Sequence, residues 1–416
     1  VYILICLLSI QSYAATLDEA FRSALQRNEV VAQSREKVVQ AEEQLNQAKS
    51  APYPVISFEA DHIIQDLPAS ALAREFTPEK QTTTGMRLKQ PLFRGLREWA
   101  ALRQRKDLFN AGKQDRAQTL LNLYESVATA YLNVLAYEQD LKNLNEQAKI
   151  YAQRVKELQG RAKRGESAAH EALTIQSNEA VVLSDISLVA ANLKIARENF
   201  NFLTGLPADT PLADPDEKAQ TLLPLEQYLQ RLDQRPDIQS AKERLAAAQE
   251  KVSFSKGSHW PSLDLTGNYY FQRPSFFNEI EWDLQLHLSF PLFEGGLRMA
   301  ETRESSSQER EATLELAKLR RQAESQIRAL HENLKLRQGQ LTALKNSTDL
   351  SQKTYQALQR EFRRGLTRNV EVQLALTNYG VARRSFDQAR YAARLDRIKL
   401  ESAAVILPAS LEGSLQ

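Results

Sequence analysis

The chain is poor in the residues that interrupt helices and in the residues that do chemistry. Its 416 residues include 14 glycines and 14 prolines, well below ordinary usage, so long unbroken helices are expected rather than a loop-rich globule. Cysteine is limited to Cys6, which excludes disulfides, Cys-ligated zinc and a cysteine nucleophile once the apolar start is removed. Net charge is +2 from 54 basic and 52 acidic residues, so composition calls for no nucleic acid partner. No run after Ala15 approaches the 18 consecutive apolar residues of a helical membrane span.

Reactive motifs are missing too. Gly160 to Ser167 has the spacing of a phosphate loop, but Glu166 stands where lysine is needed and no strand precedes it. His170-Glu171 and His331-Glu332 open a zinc-protease pattern whose second histidine positions hold Thr174 and Lys335. His62, His259 and His287 are scattered, so no catalytic residue, cofactor or metal ligand is expected.

What the chain does have is length and repetition. A stretch of 75 residues opens on Pro91-Leu92-Phe93 and closes on Lys163-Arg164-Gly165; Pro291-Leu292-Phe293 and Arg363-Arg364-Gly365 bracket the same stretch 200 residues later. Equal spacing implies two copies of one structural unit. Each copy predicts a helix, about 96–163 and about 296–363, roughly 100 Å long at 1.5 Å per residue. In the first, Leu120, Tyr124, Val127, Tyr131 and Val134 begin a heptad seam that runs to Leu158 with one stammer at Tyr137. The second seam, from Ile327 through Leu334 to Phe362, is patchier. The tips are basic, with Arg154, Lys156, Arg161, Lys163 and Arg164 in one and Arg360, Arg363, Arg364 and Arg368 in the other, and each helix ends in a glycine suited to a left-handed C-cap, followed by Ser167 or Thr367 placed to cap a returning helix. Each unit is therefore a helical hairpin with a tight tip.

The segments before the long helices repeat as well. Thr16-Leu17-Asp18-Glu19 is a capping box opening a helix that breaks near Asn28 and continues to about Lys49. Leu225 to Gln234 and Pro236 to Lys256 repeat that plan, with Arg235-Pro236-Asp237 matching Arg27-Asn28-Glu29. The period then changes to 2. Ile280, Trp282, Leu284, Leu286, Leu288 and Phe290 alternate with polar residues, and strands are expected at about 55–64, 82–90, 263–271 and 280–290. Strands of this length cross a bilayer when tilted, and ten aromatic residues fall between positions 254 and 293, as interfacial girdles would require. The alternative is two soluble hairpins with one face on a core. Four strands cannot close a membrane barrel, so a spanning arrangement requires several chains to share one.

Residues 1–15 are apolar through Ile10 and end in Ser12-Tyr13-Ala14-Ala15, which reads as a secretory signal, with a membrane anchor helix as the alternative. The domain plan is thus a signal at 1–15, a first repeat at 16–205, a proline-rich linker at 206–235, a second repeat at 236–406 and a tail at 407–416.

In this order and spacing, the Pro-Leu-Phe marks before a glycine, the Arg-Pro-Asp opening, the Leu203-Thr204-Gly205 end and the Arg-Gly tips resemble the TolC-type outer-membrane efflux proteins (outer membrane factors). The resemblance covers essentially the whole chain beyond the signal. It implies a mainly α fold with membrane β: a homotrimer whose long coiled-coil helices form an α-barrel in the periplasm, continuous with a shared 12-stranded β-barrel in outer-membrane lipid, four strands per chain. It implies a passive exit duct of a tripartite efflux or type I secretion system, opened at its tips by a periplasmic adaptor and an inner-membrane pump of RND or ABC type. The alternative is a periplasmic coiled-coil adaptor or scaffold. By position, Arg164, Gly165, Glu166 and Ser167 with Arg364, Gly365, Leu366 and Thr367 would be the docking tips. Many members carry acidic pore rings six and nine residues after the second tip glycine. Here the first is Glu371, with Glu171 as its image in the first repeat, while the second position is Leu374.

Overall fold

The computed structural model describes residues 14–76, 79–215, 221–274 and 278–406. The expected signal through Tyr13, the tail at 407–416, Pro78, Phe276 and Phe277 lie outside them. The element order is α1 (Leu17–Arg27), α2 (Glu29–Ser50), β1 (Val55–Ile64), α3 (Ala71–Phe76), β2 (Lys80–Arg94), α4 (Arg97–Lys163), α5 (Ala169–Thr204), α6 (Leu225–Leu229), a 3-10 turn (Leu232–Gln234), α7 (Pro236–Gly257), β3 (Ser262–Gln272), β4 (Trp282–Ser289), α8 (Leu297–Arg363) and α9 (Asn369–Ala403). The described residues fall into two compact units. One lies within 1–33, 117–235 and 321–416, the other within 34–116 and 236–320. Each unit takes parts of both repeats, because α4 and α8 each run through both.

Local signals account for most boundaries. Thr16 and Glu19 form the reciprocal capping box, and the Asn28 side chain accepts from the Val30 and Val31 amides at 3.0 and 3.3 Å, separating α1 from α2. Four expectations need correction. α2 and α7 are both 22 residues and begin at Glu29 and Pro236, so Asn28-Glu29 aligns with Arg235-Pro236, one residue off the match read from the motif. The helix expected over 225–234 stops at Leu229 and resumes as a 3-10 turn. The strand expected over 280–290 is regular only over 282–289, while β2 runs past Gln90 to Arg94, bulging between Pro91 and Phe93. A bulge tolerates the missing proline N–H that a regular ladder would not.

In the first unit the α4 seam is the core. Val127 and Val134 are fully buried and Tyr131 and Leu144 nearly so. Phe21 meets Tyr124 edge to face at 5.3 Å, and burying such a ring contributes about 2–3 kcal/mol. Tyr137, Leu141 and Ala148, around the stammer, are only partly buried. In α8, Ile327 and Leu334 are buried but Leu336 and Leu350 are more than 60% exposed.

In the second unit the strands form one antiparallel sheet in the order β1-β2-β3-β4. Phe58, Met86, Tyr269 and Trp282 stand in one cross-strand row, and Ile56, Leu88, Gly267 and Leu284 in the next. This apolar face is bare: Phe58, Trp282, Leu284, Leu286 and Leu288 are all more than 60% exposed. No described element covers it, so the alternative of hairpins seated on a soluble core fails. The opposite face carries a polar chain across all four strands. Arg87 pairs with Glu59 at 2.8 Å and donates to Asn268 at 2.9 Å; Asn268 donates to Asp283 at 2.8 Å. Apolar outside and hydrogen-bonded polar inside is the division a membrane strand needs. Among the described residues no helix is long and apolar enough to cross a membrane.

Candidate functional site

The tips are built by the C-termini of α4 and α8. Gly165 and Gly365 take φ of 74° and 76°, a left-handed conformation that costs glycine nothing. The amide of Gly165 donates to Ala162 O and that of Glu166 to Arg161 O; Gly365 and Leu366 bond to Phe362 and Glu361 in the same way. Both helices therefore end in Schellman motifs, which satisfy orphan carbonyls and reverse the chain.

The hydroxyls do not cap the returning helices. The N-caps are Ala168 and Arg368, neither with a side-chain cap. Ser167 and Thr367 sit one residue earlier, and each donates to a carboxylate, Ser167 to Glu171 at 2.7 Å and Thr367 to Glu371. Glu171 and Glu371 occupy the first turns of α5 and α9, where the helix dipole favours a carboxylate. Leu366, Val370 and Leu374 stand exposed beside Glu371, so its second-ring position is apolar and bare.

The structure brings the two tips together around one cavity of about 450 Å³, lined by Glu166, Ser167 and Glu171 from the first and Gly365, Thr367 and Arg368 from the second. At the surface, Arg164 forms a bidentate pair with Glu166 at 2.7 and 3.1 Å. That hydrogen bond holds the Glu166 carboxyl below its usual range. Both side chains are more than half exposed, so the pair is worth little to stability.

Arg154 is a different matter. Grouped by sequence with the basic tip residues, it is in fact 3% exposed. It donates to Asn369 at the start of α9 and stacks 5.5 Å from the Phe362 ring. Its Nε and Nη1 are buried without a hydrogen-bond partner. Burial pushes its guanidinium pKa down. The one sequence signal was its place next to Val155 in the heptad seam.

Above the tips, α4 and α9 are joined by charge. Arg383 pairs with Glu146 at 2.6 Å, Arg384 with Asp140, and Asn143 donates to Asp387 at 2.7 Å. Among the described residues no group of three or more His, Cys, Asp or Glu is placed to hold a metal. His331 is buried beside Tyr228, its Nε2 3.1 Å from Leu223 O.

A chain with two long helical hairpins and a four-stranded sheet with a bare apolar face matches a known pattern at the level of sequence. The family profile described as outer membrane efflux protein matches residues 20–206 and 228–404, one segment per repeat. The chain belongs to the outer membrane efflux protein family. Its place is the outer membrane. The probable efflux pump outer membrane protein TtgC of Pseudomonas putida is 26% identical over 293 residues, which span 64% of this chain and 56% of that protein. The match therefore covers little more than half of that relative's length. The outer membrane protein TolC of Escherichia coli is 22% identical, with 94% of this chain and 82% of that protein covered. Among solved structures, the outer membrane protein VceC of Vibrio cholerae superposes with a TM-score of 0.84 at 16% identity, covering 93% of this chain and 95% of that one. The CmeC outer membrane channel of Campylobacter jejuni gives 0.82 at 17% identity, with 93% and 85% covered. These two outer membrane proteins share the fold of this chain.

Proposed function

We propose that the chain is one of three identical subunits of an exit duct that passes cargo from periplasm to exterior without catalysing a reaction. The observation that carries this reading is the sheet. It has an exposed apolar face, an internally hydrogen-bonded polar face, and two edges, β1 and β4, with no strand beside them among the described residues. Backbone groups at such edges are not tolerated in lipid, and closing a barrel from four-stranded pieces takes several copies. A periplasmic scaffold would leave the same apolar face in water, where a patch of this size drives aggregation.

In this reading the tips at 164–167 and 364–367 face a periplasmic adaptor coupled to an inner-membrane pump. Glu371, and Glu171 at the matching position of the first repeat, would bring three carboxylates each toward the duct axis, where they would repel one another and attract cations. The relatives named as efflux pump proteins support this partnership. The test is fractionation followed by planar-bilayer recording. A heat-sensitive oligomer in outer membranes that conducts ions supports the duct; recovery as a soluble periplasmic species rejects it.

A further inference from the structure

Ahead of α1, one residue fastens the start of the first repeat to the segment between the repeats. Ala15 is buried in the first unit, 8% exposed, and forms an isolated parallel bridge with Leu212. Its N–H donates to Pro211 O at 2.8 Å, and its carbonyl accepts from the Ala213 N–H at 3.0 Å. The hydroxyl of Tyr131, a buried ring of α4, lies 3.0 Å from that carbonyl and donates to Ala213 O. Thr16 then opens the capping box of α1, its own N–H donating to Glu19 Oε2 at 2.8 Å. Both backbone polar groups of Ala15 are therefore engaged, and together with Tyr131 they clasp the linker onto α4.

A cleavable junction stands directly before this residue. The chain's place in the outer membrane requires export, and the apolar stretch through Ile10 reads as the export signal. Signal peptidase needs small side chains at the first and third positions before the bond it cuts. A cut after Ala14 puts Ala14 and Ser12 at those positions; a cut after Ala15 puts Ala15 and Tyr13 there, and the tyrosine ring is too large. The contacts choose the same bond independently, because a cut after Ala15 would discard the residue that holds Pro211 and Ala213.

We propose that the Ala14–Ala15 bond is a processing site and that Ala15 is the amino terminus of the working protein, one residue earlier than the Thr16 start that a signal at 1–15 gives. Water adds across the amide, leaving a carboxylate on Ala14 and an α-ammonium on Ala15. The ammonium keeps the hydrogen bond to Pro211 O and makes it charge-assisted, about twice as strong as its neutral counterpart. Ala15 is buried once the unit folds, so the cut precedes closure of the clasp. The linker is then fastened by a charge that does not exist until the leader is gone.

This site stands or falls independently of the exit-duct reading. Intact mass and amino-terminal sequencing of the protein extracted from outer membranes are expected to give a chain beginning Ala15-Thr16-Leu17-Asp18; a chain beginning at Thr16, or one that keeps residues before Ala15, overturns the site. Two variants read the same bond whatever their effect on folding. Ala14→Leu places a large side chain next to the bond and is expected to raise the unprocessed fraction at least about tenfold, whereas Ala15→Leu lies beyond the bond and is expected to be processed like the parent. The reverse pattern overturns the site. The clasp has its own readout in acetylation by an N-hydroxysuccinimide ester near neutral pH, where α-amines react ahead of lysines. The native amino terminus is expected to react at least about tenfold more slowly than the unfolded one, because the amine must first leave Pro211 O. Equal rates overturn the clasp.

Discussion

Arg384 of α9 grips Asp140 of α4 through two parallel hydrogen bonds, Nε to Oδ1 at 2.6 Å and Nη2 to Oδ2 at 3.0 Å. The Asp140 side chain is only 8% exposed, so removing the arginine leaves a carboxylate that water barely reaches. Arg384→Met is expected to destabilise the helical unit by about 3 kcal/mol, and adding Asp140→Leu to restore most of it, because a buried pair is costly to break but not to replace. Chemical unfolding of both variants followed by helix content is the measurement.

Two tyrosines make the same unit sensitive to alkali. Tyr131 donates to Ala213 O and lies 3.0 Å from Ala15 O, and Tyr391 donates to Asp214 at 2.6 Å. Burial pushes both phenols up to about 12, the Asp214 hydrogen bond adding to it for Tyr391. A raised folded pKa means stability that is complete below the unfolded value near 10 and lost as pH climbs through about 12, on the order of 2 kcal/mol for each ring. Tyr391→Phe should remove its share of that loss. Unfolding midpoints measured across this pH range would show it, and a flat profile in the parent chain would refute it.

Glu371 should govern divalent cation block. In the proposed duct, three copies of Glu371 near one axis would concentrate negative charge, so Glu371→Gln is expected to weaken block in planar bilayers roughly tenfold, equivalent to about 1.4 kcal/mol. Unchanged block would mean that the carboxylate only serves its helix turn with Thr367.

At the strand-to-helix junction, Gly95→Ala adds a Cβ to a residue at φ 66° and pushes it into the Gly257 carbonyl. A loss of about 2–3 kcal/mol is expected from strain and displacement together. Gly257→Ala meets Gly95 O at 2.5 Å with no positive φ and should cost less. Thermal melts of the two variants rank them.

Features that depend on neighbours in sequence were legible before any coordinates. Gly165 and Gly365 mark helix ends because only the local backbone decides a left-handed cap. The alternation from Trp282 to Leu288 marks a strand with one apolar face. Features that depend on distant partners were not. Ser167 looked like an N-cap, and only the position of Glu171 shows its hydroxyl engaged elsewhere. Arg154 looked like one more surface cation, and its burial follows from where Phe362 and Asn369 arrive from the other repeat.

The sequence alone determined the number and length of the staves, the tandem repeat and the family, because heptad period, strand alternation and glycine spacing are properties of short windows repeated along the chain. Only the tertiary structure decided which face of each element is covered. It left the apolar sheet face bare and joined the hairpins through Arg384 and Asp140. Periodicity says that a helix or strand has an apolar or a polar side; which side meets a partner depends on residues hundreds of positions away.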